Sequence, residues 1–321
     1  MIKQIQISPP LKKVLVIYGL LATIFVSMMV FSADYRSIQN VGNVLVQSVP
    51  LAIVSMGQMI VLIGGGIDMS VGAMISLTSC IAARTMSSVA SPVAAIGAVL
   101  IITVSVCVGV MNGIGTNYGR VPAMITTLSM MMVLNGISLA LLPGPGGRVD
   151  RAIAGVIMAR SGLLSVALLI LLLVFILLRH FLYHTRSGVH VYAIGKNRSI
   201  AASMGVRINR VSILTFVIAA MTAAVSGMLL ASRMRIGDPT IGASFGLDSI
   251  TAAAIGGTAL TGGVGLLSGT VAGAFLIGML SNMMNILGVN HFYQYVLKGL
   301  LLVVAMVFYS LSGKMGGKHR G

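Results

Sequence analysis

Glutamate is missing altogether, and the acids are five aspartates: Asp34, Asp68, Asp150, Asp238 and Asp248. Charged residues make up only 8% of the 321 positions, against about a quarter in soluble domains. So few charges cannot cover a water-facing surface, which excludes a soluble fold. A glycine-rich phosphate loop closing on Gly-Lys-Ser/Thr is also missing, so this chain is not expected to hydrolyse ATP itself. No Ser/His/Asp set falls where a soluble pocket would form, and no catalytic residue is assigned. Cys80 and Cys107 are the only cysteines; they lie in apolar runs without CxxC spacing and read as packing residues. His180 and His184 stand four apart, as a metal pair can, but no carboxylate or cysteine accompanies them. No metal and no cofactor is expected.

What the chain has is apolar length. Hydrophobic residues make up 57%, and about 20 of them in a helix cross the roughly 30 Å bilayer core. The expected spans are 13–32, 43–63, 69–88, 92–112, 123–142, 161–181, 211–232, 247–260, 266–287 and 294–311. The eighth is short and weak. The reading is an all-α, polytopic membrane bundle of about ten transmembrane helices, one permease domain over 1–321 with both termini cytoplasmic. Residues 1–12 and 312–321 are the tails, and 182–210 is a cytoplasmic loop. The first span lacks a small-residue cleavage site followed by polar chain, so it reads as a retained helix.

A net charge of +16 suggests nucleic acid at first sight. The basic residues instead mark the ends of apolar spans, where they orient helices and meet anionic lipid headgroups. With the N-terminus inside, the cytoplasmic side holds Lys3, Lys12, Lys13, Arg120, Arg179, Arg186, Lys196, Arg198, Arg207, Arg210, Lys314, Lys318 and Arg320. The outside holds Arg36, Arg84, Arg148, Arg151, Arg160, Arg233 and Arg235. That is 13 against 7, with Lys298 inside the last span. Arg148, Arg151 and Arg160 weaken the rule locally and accompany "PGPGGRVDRAIAG", read as a structured external connection.

The basic stretch from Arg179 to Arg210 is long for a connection between spans, and loops of this length tend to be functional or disordered. Its centre, "AIGKNRSIAASMG", carries Ala193, Ile194, Ile200, Ala201, Ala202 and Met204, enough apolar surface to argue against disorder. Ser199 is placed to cap a short helix that Gly205 ends. Such a helix is too short to stand alone in water and needs lipid headgroups or a protein to pack against.

Polar residues inside spans form a second pattern. Asn43, Gln47 and Gln58 fall on one side of the second span, with Ser55 near it. The stripe suits a translocation path; the alternative is interhelical hydrogen bonding, worth about 0.6 kcal/mol each. Asn282 and Asn285 share a face of the ninth span with the same two readings. Asp68 follows Gly64, Gly65 and Gly66 and precedes the third span. It reads as a helix cap after a glycine turn, with a direct transport role as the alternative.

"GGGIDMSVGAMISL" (64–77), "AIGKNRSIAASMGVRINRV" (193–211) and "GLDSITAAAIGGTALTGGVGLLSGTVAGAFLIG" (246–278) together resemble bacterial ABC sugar-importer permeases of the ribose/xylose/galactose class. "NGIGTNYGRVPAMITTLSMMMVLNGISL" fits between them, and the likeness runs over about 41–311. Where that class commonly carries Glu before Leu-Asp, this chain has Gly246. The resemblance implies two membrane subunits, identical or sister chains, each docked on a cytoplasmic ABC ATPase and fed by a periplasmic sugar-binding protein. It makes "AIGKNRSIAASMG" the ATPase-coupling segment, with Gly195, Asn197, Ala201, Ala202 and Gly205 matching the class. The implied cargo is a monosaccharide such as ribose or a related pentose or hexose. Wider relatives carry nucleosides or branched-chain amino acids. An ion-coupled secondary transporter would expose acids or histidine chains within the membrane, and here nearly all acids sit at span ends. Spans two to five and seven to ten are also compatible with an inverted repeat.

Overall fold

Ser37 opens the first long helix by accepting the Asn40 amide on its hydroxyl at 3.1 Å. This helix, α1, runs Ile38–Ile63 in a computed structural model that describes residues 36–89 and 92–290 continuously, with scattered positions at 18–30 and 292–303. The expected first span 13–32, most of the tenth at 294–311, and the tails 1–12 and 312–321 lie largely or wholly outside the described residues. At 1.5 Å per residue α1 is about 39 Å long. It is almost wholly enclosed and forms the axis of the bundle. Pro50 sits inside it without breaking it. A neighbouring helix is pinned to it at this point: Ser226 Oγ donates to the Pro50 carbonyl at 2.8 Å.

The remaining elements are α2 (Val71–Thr85), α3 (Pro92–Asn117), α4 (Ala123–Leu141), α5 (Arg151–Ile157), the two-residue strands β1 (Arg160–Ser161) and β2 (Leu164–Ser165), α6 (Val166–His184), α7 (Arg186–Lys196), α8 (Arg198–Ser203), α9 (Ile208–Met234), α10 (Phe245–Ile255) and α11 (Leu267–Ile286). Among the described residues six helices are long and apolar enough to cross a membrane: α1, α3, α4, α6, α9 and α11. The protein is therefore an all-α membrane bundle, decorated by one tiny antiparallel hairpin. α3, α4 and α6 lie at its edge and turn large side chains such as Ile102, Met132 and Leu173 outward. In lipid that exposure needs no cover. α9 is the second axis, and α3 approaches it through the Gly109-xxx-Gly113 spacing that lets membrane helices pack backbone to backbone. A Cβ on Gly113 would stand 2.6 Å from Ile213 Cα.

Two expected spans become half-helices. α2 covers only 15 residues and α10 only 11, about 22 and 16 Å long, short of the bilayer core. In place of the expected span 69–88, irregular backbone at 64–70 leads into α2. The expected eighth span, 247–260, is shortened to α10, which irregular backbone at 235–244 precedes. Surrounding residues supply hydrogen bonds to this irregular backbone: Thr127 and Gln58 to the first stretch, Ser79 and Ser76 to the second.

The half-helices expose an internal repeat. Asp68-Met69-Ser70-Val71-Gly72 precedes and starts α2, and Asp238-Pro239-Thr240-Ile241-Gly242 precedes α10. Asp68 Oδ1 accepts from Ser70 N and Oγ at 2.8 and 2.6 Å. Asp238 Oδ1 accepts from Thr240 N and Oγ1 at 2.7 and 2.8 Å. The packing is reciprocal as well: α1 lies against α10 and α11, and α9 lies against α2 and α3. Gly72 and Gly242 meet backbone to backbone, where a Cβ on either would strike the other's carbonyl oxygen.

The connections gather at two ends. One end joins residues 63–66, 117–123, α7, α8 and 262–265. The opposite end joins residues 37–43, 84–89, 146–150, 160 and 235–237. There Asp150 accepts the Ala152 and Val89 amides, and these bonds hold its carboxyl below the usual aspartate value of 3.8. A depressed folded-state value means that the contribution is complete above the ordinary aspartate range. It is lost as pH falls through the lowered value. Proteolysis of the 144–165 connection should accordingly accelerate in acid below about pH 4, and Asp150→Ala should show that acceleration already at pH 7.

Candidate functional site

The basic connection is not a loop but two helices. Thr185 caps α7 by accepting the Gly188 amide at 3.1 Å, and α6 reaches His184, so His180 and His184 are helical and stacked. Asn197, not Ser199, caps α8: its Oδ1 accepts Ile200 N at 2.9 Å. Both residue types can cap, but the acceptor three residues ahead of the bonded amide takes the place. α8 ends at Ser203, and Gly205 follows in the left-handed region at φ +81°.

Gly195 sits where three connections touch. A Cβ there would strike the Ile63 carbonyl at the end of α1 and the Gly263 backbone after α10. Gly263 N donates to that same Ile63 oxygen at 2.8 Å. Tyr192, buried on α7, donates its hydroxyl to Gly265 O at 3.1 Å. α7 therefore touches both the end of α1 and the α10–α11 connection. Ala201 packs inward and is buried, which anchors α8 to the bundle. Ala202 and Gly205 face outward. Two larger outward residues, Ile200 and Met204, stand four apart and form the apolar face of this segment. They were legible as apolar surface, but the sequence could not tell inward from outward.

Asp68 and Ser70 are buried at the turn ahead of α2. Besides the Ser70 bonds, Asn112 Nδ2 donates to Ser70 Oγ at 2.9 Å, and Thr127 Oγ1 accepts Met69 N at 3.0 Å. With its amide oriented to suit the network, Gln58 donates to Asp68 O at 3.1 Å and accepts Asp68 N at 3.2 Å. Gln58 is therefore occupied in holding this turn. Asp68 closes the turn ahead of α2 rather than capping the helix, whose N-cap is Ser70. Gly64, Gly65 and Gly66 form the preceding turn, with Gly65 at φ +83°.

At the opposite end, Asn40 and Asn282 exchange amide bonds at 3.4 Å in both directions. Asn43 is exposed and accepts from Arg160 Nη1 at 3.1 Å. Gln47 lies one turn deeper on the same face, half-buried. Asn282 thus bonds to Asn40, a residue outside the expected stripe, at the same end of α1 as Asn43 and Gln47. Asn285 does not join them: its Oδ1 accepts from Gln294 Nε2 at 2.9 Å. The acid of the third signature, Asp248, is paired with Lys298 at 2.8 Å, which answers for a cation inside an apolar stretch.

The family described as branched-chain amino acid transport system / permease component matches residues 40–306. The chain is 30% identical to the ribose import permease protein RbsC of Escherichia coli K12 over 281 residues, 86% of this chain and 87% of that one. It is 34% identical to the RbsC of Bacillus subtilis 168 over 271 residues, 84% of each chain. It is 28% identical to the xylose transport system permease protein XylH of Escherichia coli K12, covering 90% of each chain. No solved structure matches.

Proposed function

The chain belongs to the branched-chain amino acid transport system / permease component family, and from that premise we propose that it is the membrane subunit of an ATP-driven importer passing a monosaccharide of the ribose or xylose kind across the bacterial inner membrane. It is a multi-pass membrane protein and a transport subunit, not an enzyme. The sugar reading rests on relatives named for ribose and xylose. The amides of Asn40, Asn43, Gln47 and Asn282 support it, since neutral donors and acceptors can exchange with sugar hydroxyls. A branched-chain amino acid would need its ammonium and carboxylate matched as well.

In this reading ten crossings place α7 and α8 in the cytoplasm and Asn43 at the outer face. An ATPase subunit docks on α8, a second permease subunit completes the path, and a periplasmic binding protein delivers the sugar. The observation that carries the reading is Gly195, pressed against α1 and the α10–α11 connection, directly beside an outward apolar face. ATP-driven movement of the ATPase then shifts α8 and α7, and with them the inner end of the axial helix. The differential contact that any driven change requires is made there.

Ile200→Asp and Met204→Asp test the docking face. Each should weaken capture of the ATPase subunit about tenfold or more, the scale of a buried interface anchor, while membrane insertion is kept. Full ATPase capture by both variants would remove α8 from the interface. Uptake of labelled ribose, xylose and leucine into vesicles holding the whole importer then decides the cargo.

A further inference from the structure

Beside α8, at the same end, lies a pocket of about 490 Å³ that the transport reading does not use. Arg120 and Arg198 both line it, and no acidic residue does. Arg198 Nη2 donates to Asn117 Oδ1 at 2.8 Å, and the pair joins α8 to the end of α3. Among the described residues Arg120 has no hydrogen-bond or ion-pair partner. Its backbone is left-handed, φ +54°, a conformation that a bulky residue rarely holds. Thr116 adds a buried hydroxyl with no hydrogen-bond partner. Ala123 begins α4 on the pocket wall, and that helix start has no side-chain cap, so its partial positive charge adds to the two guanidiniums. The pocket concentrates donors and positive charge with no acidic residue to balance them.

We propose that this pocket binds a phosphate group, presented by an anionic lipid headgroup or by a soluble phosphorylated molecule. Guanidinium forks match phosphate oxygens in geometry and charge. Each α3, α4 and α1 end at the pocket is the end of a spanning helix, which puts it at headgroup depth and within reach of the cytosol. A bound phosphate bridges Arg198 to Arg120 and ties α8 to the α3–α4 connection. Its consequence for transport rests on the coupling role proposed for α8; its binding does not.

The test uses the full-length chain in nanodiscs and two probes. Inorganic phosphate is titrated into phosphatidylcholine discs by calorimetry, and retained phosphatidylglycerol is counted by native mass spectrometry from mixed discs. The variants are Arg198→Gln and Arg120→Asn, the latter because asparagine tolerates left-handed backbone and so keeps the turn. Wild type should bind in at least one arm, and each variant should bind about tenfold more weakly in that arm. Binding of phosphate identifies a soluble source, and retention of phosphatidylglycerol alone identifies lipid. The proposal is overturned if wild type binds neither probe, or if the variants bind as wild type does. Failure of the Ile200 and Met204 variants to affect ATPase capture would sink the coupling role and leave this result standing.

Discussion

Gly195→Val is expected to reduce sugar uptake by about a hundredfold or more, with the ATPase subunit still bound. The size follows from what the new atoms meet. A Cβ at 195 strikes the Ile63 carbonyl and the Gly263 backbone, and neither can swing aside as a side-chain tip can. Forcing extra carbon into a packed site costs roughly 1–3 kcal/mol, occasionally more, and about 1.4 kcal/mol is a factor of ten. The strain falls on the joint between α7, α1 and the α10–α11 connection, not on the outward face made by Ile200 and Met204. Capture of the ATPase should survive while its movement no longer reaches α1. Gly195→Ala, with one carbon added, should give an intermediate loss of about tenfold. Vesicle uptake and pull-down of the ATPase, measured on the same preparations, separate the two effects. Wild-type uptake by Gly195→Val would mean that this contact carries no motion.

The segment at this joint is legible in the sequence, and the part that is not has a physical reason. The segment 193–205 stood out because it is basic and small between apolar runs. The need for glycine at 195 came from a contact with residues 63 and 263, which no local pattern encodes. Long spans were legible wherever an apolar run ends in charge or proline, as at α3, α4 and α6. α1 began five residues earlier than its apolar run, since Asn40 and Asn43 find partners in Asn282 and Arg160. The eighth span, 247–260, already read as short and weak, whereas 69–88 read as a full span because its residues up to Ala83 carry no charge or proline. Only the hydrogen bonds from Thr127, Asn112 and Gln58 show that the first of them are a turn. Gln58 shared a helical face with Asn43 and Gln47, yet it lies near the far end of α1, where that face meets the Asp68 turn. Asn285 shared a face with Asn282 but sits in the final turn of α11, where Gln294 takes it. Helical periodicity assigns a face; depth along the helix decides what that face meets.

The repeat leads to a second large effect, expected at Gly72 and Gly242. Gly72→Ala directs a Cβ at the Gly242 carbonyl, and the same carbon would stand 3.2 Å from Gly246 N. Gly242→Ala directs a Cβ at the Gly72 carbonyl and within 3.0 Å of Ser76 Oγ, the group that accepts the Gly242 amide at 2.9 Å. Each single change should destabilise the purified protein by roughly 1–3 kcal/mol. The two should not add. Both push apart the same pair of backbones, so the separation forced by the first makes room for the second. The double variant should fall short of the sum by about 1 kcal/mol or more, the scale seen for residues in contact. Gly109→Ala with Gly278→Ala is the control. One meets Val217 on α9 and the other Ser48 on α1, so their costs should add to within about 0.5 kcal/mol. Thermal unfolding of the four single and two double variants in one detergent measures all of this. Additivity at Gly72 and Gly242 would mean that the half-helices do not bear on one another there, and that the two Asp-x-Ser/Thr turns are placed independently. Non-additivity would tie both repeats to one crossing point, so that motion entering at Gly195 through α1 and α10 must also turn about Gly72 and Gly242.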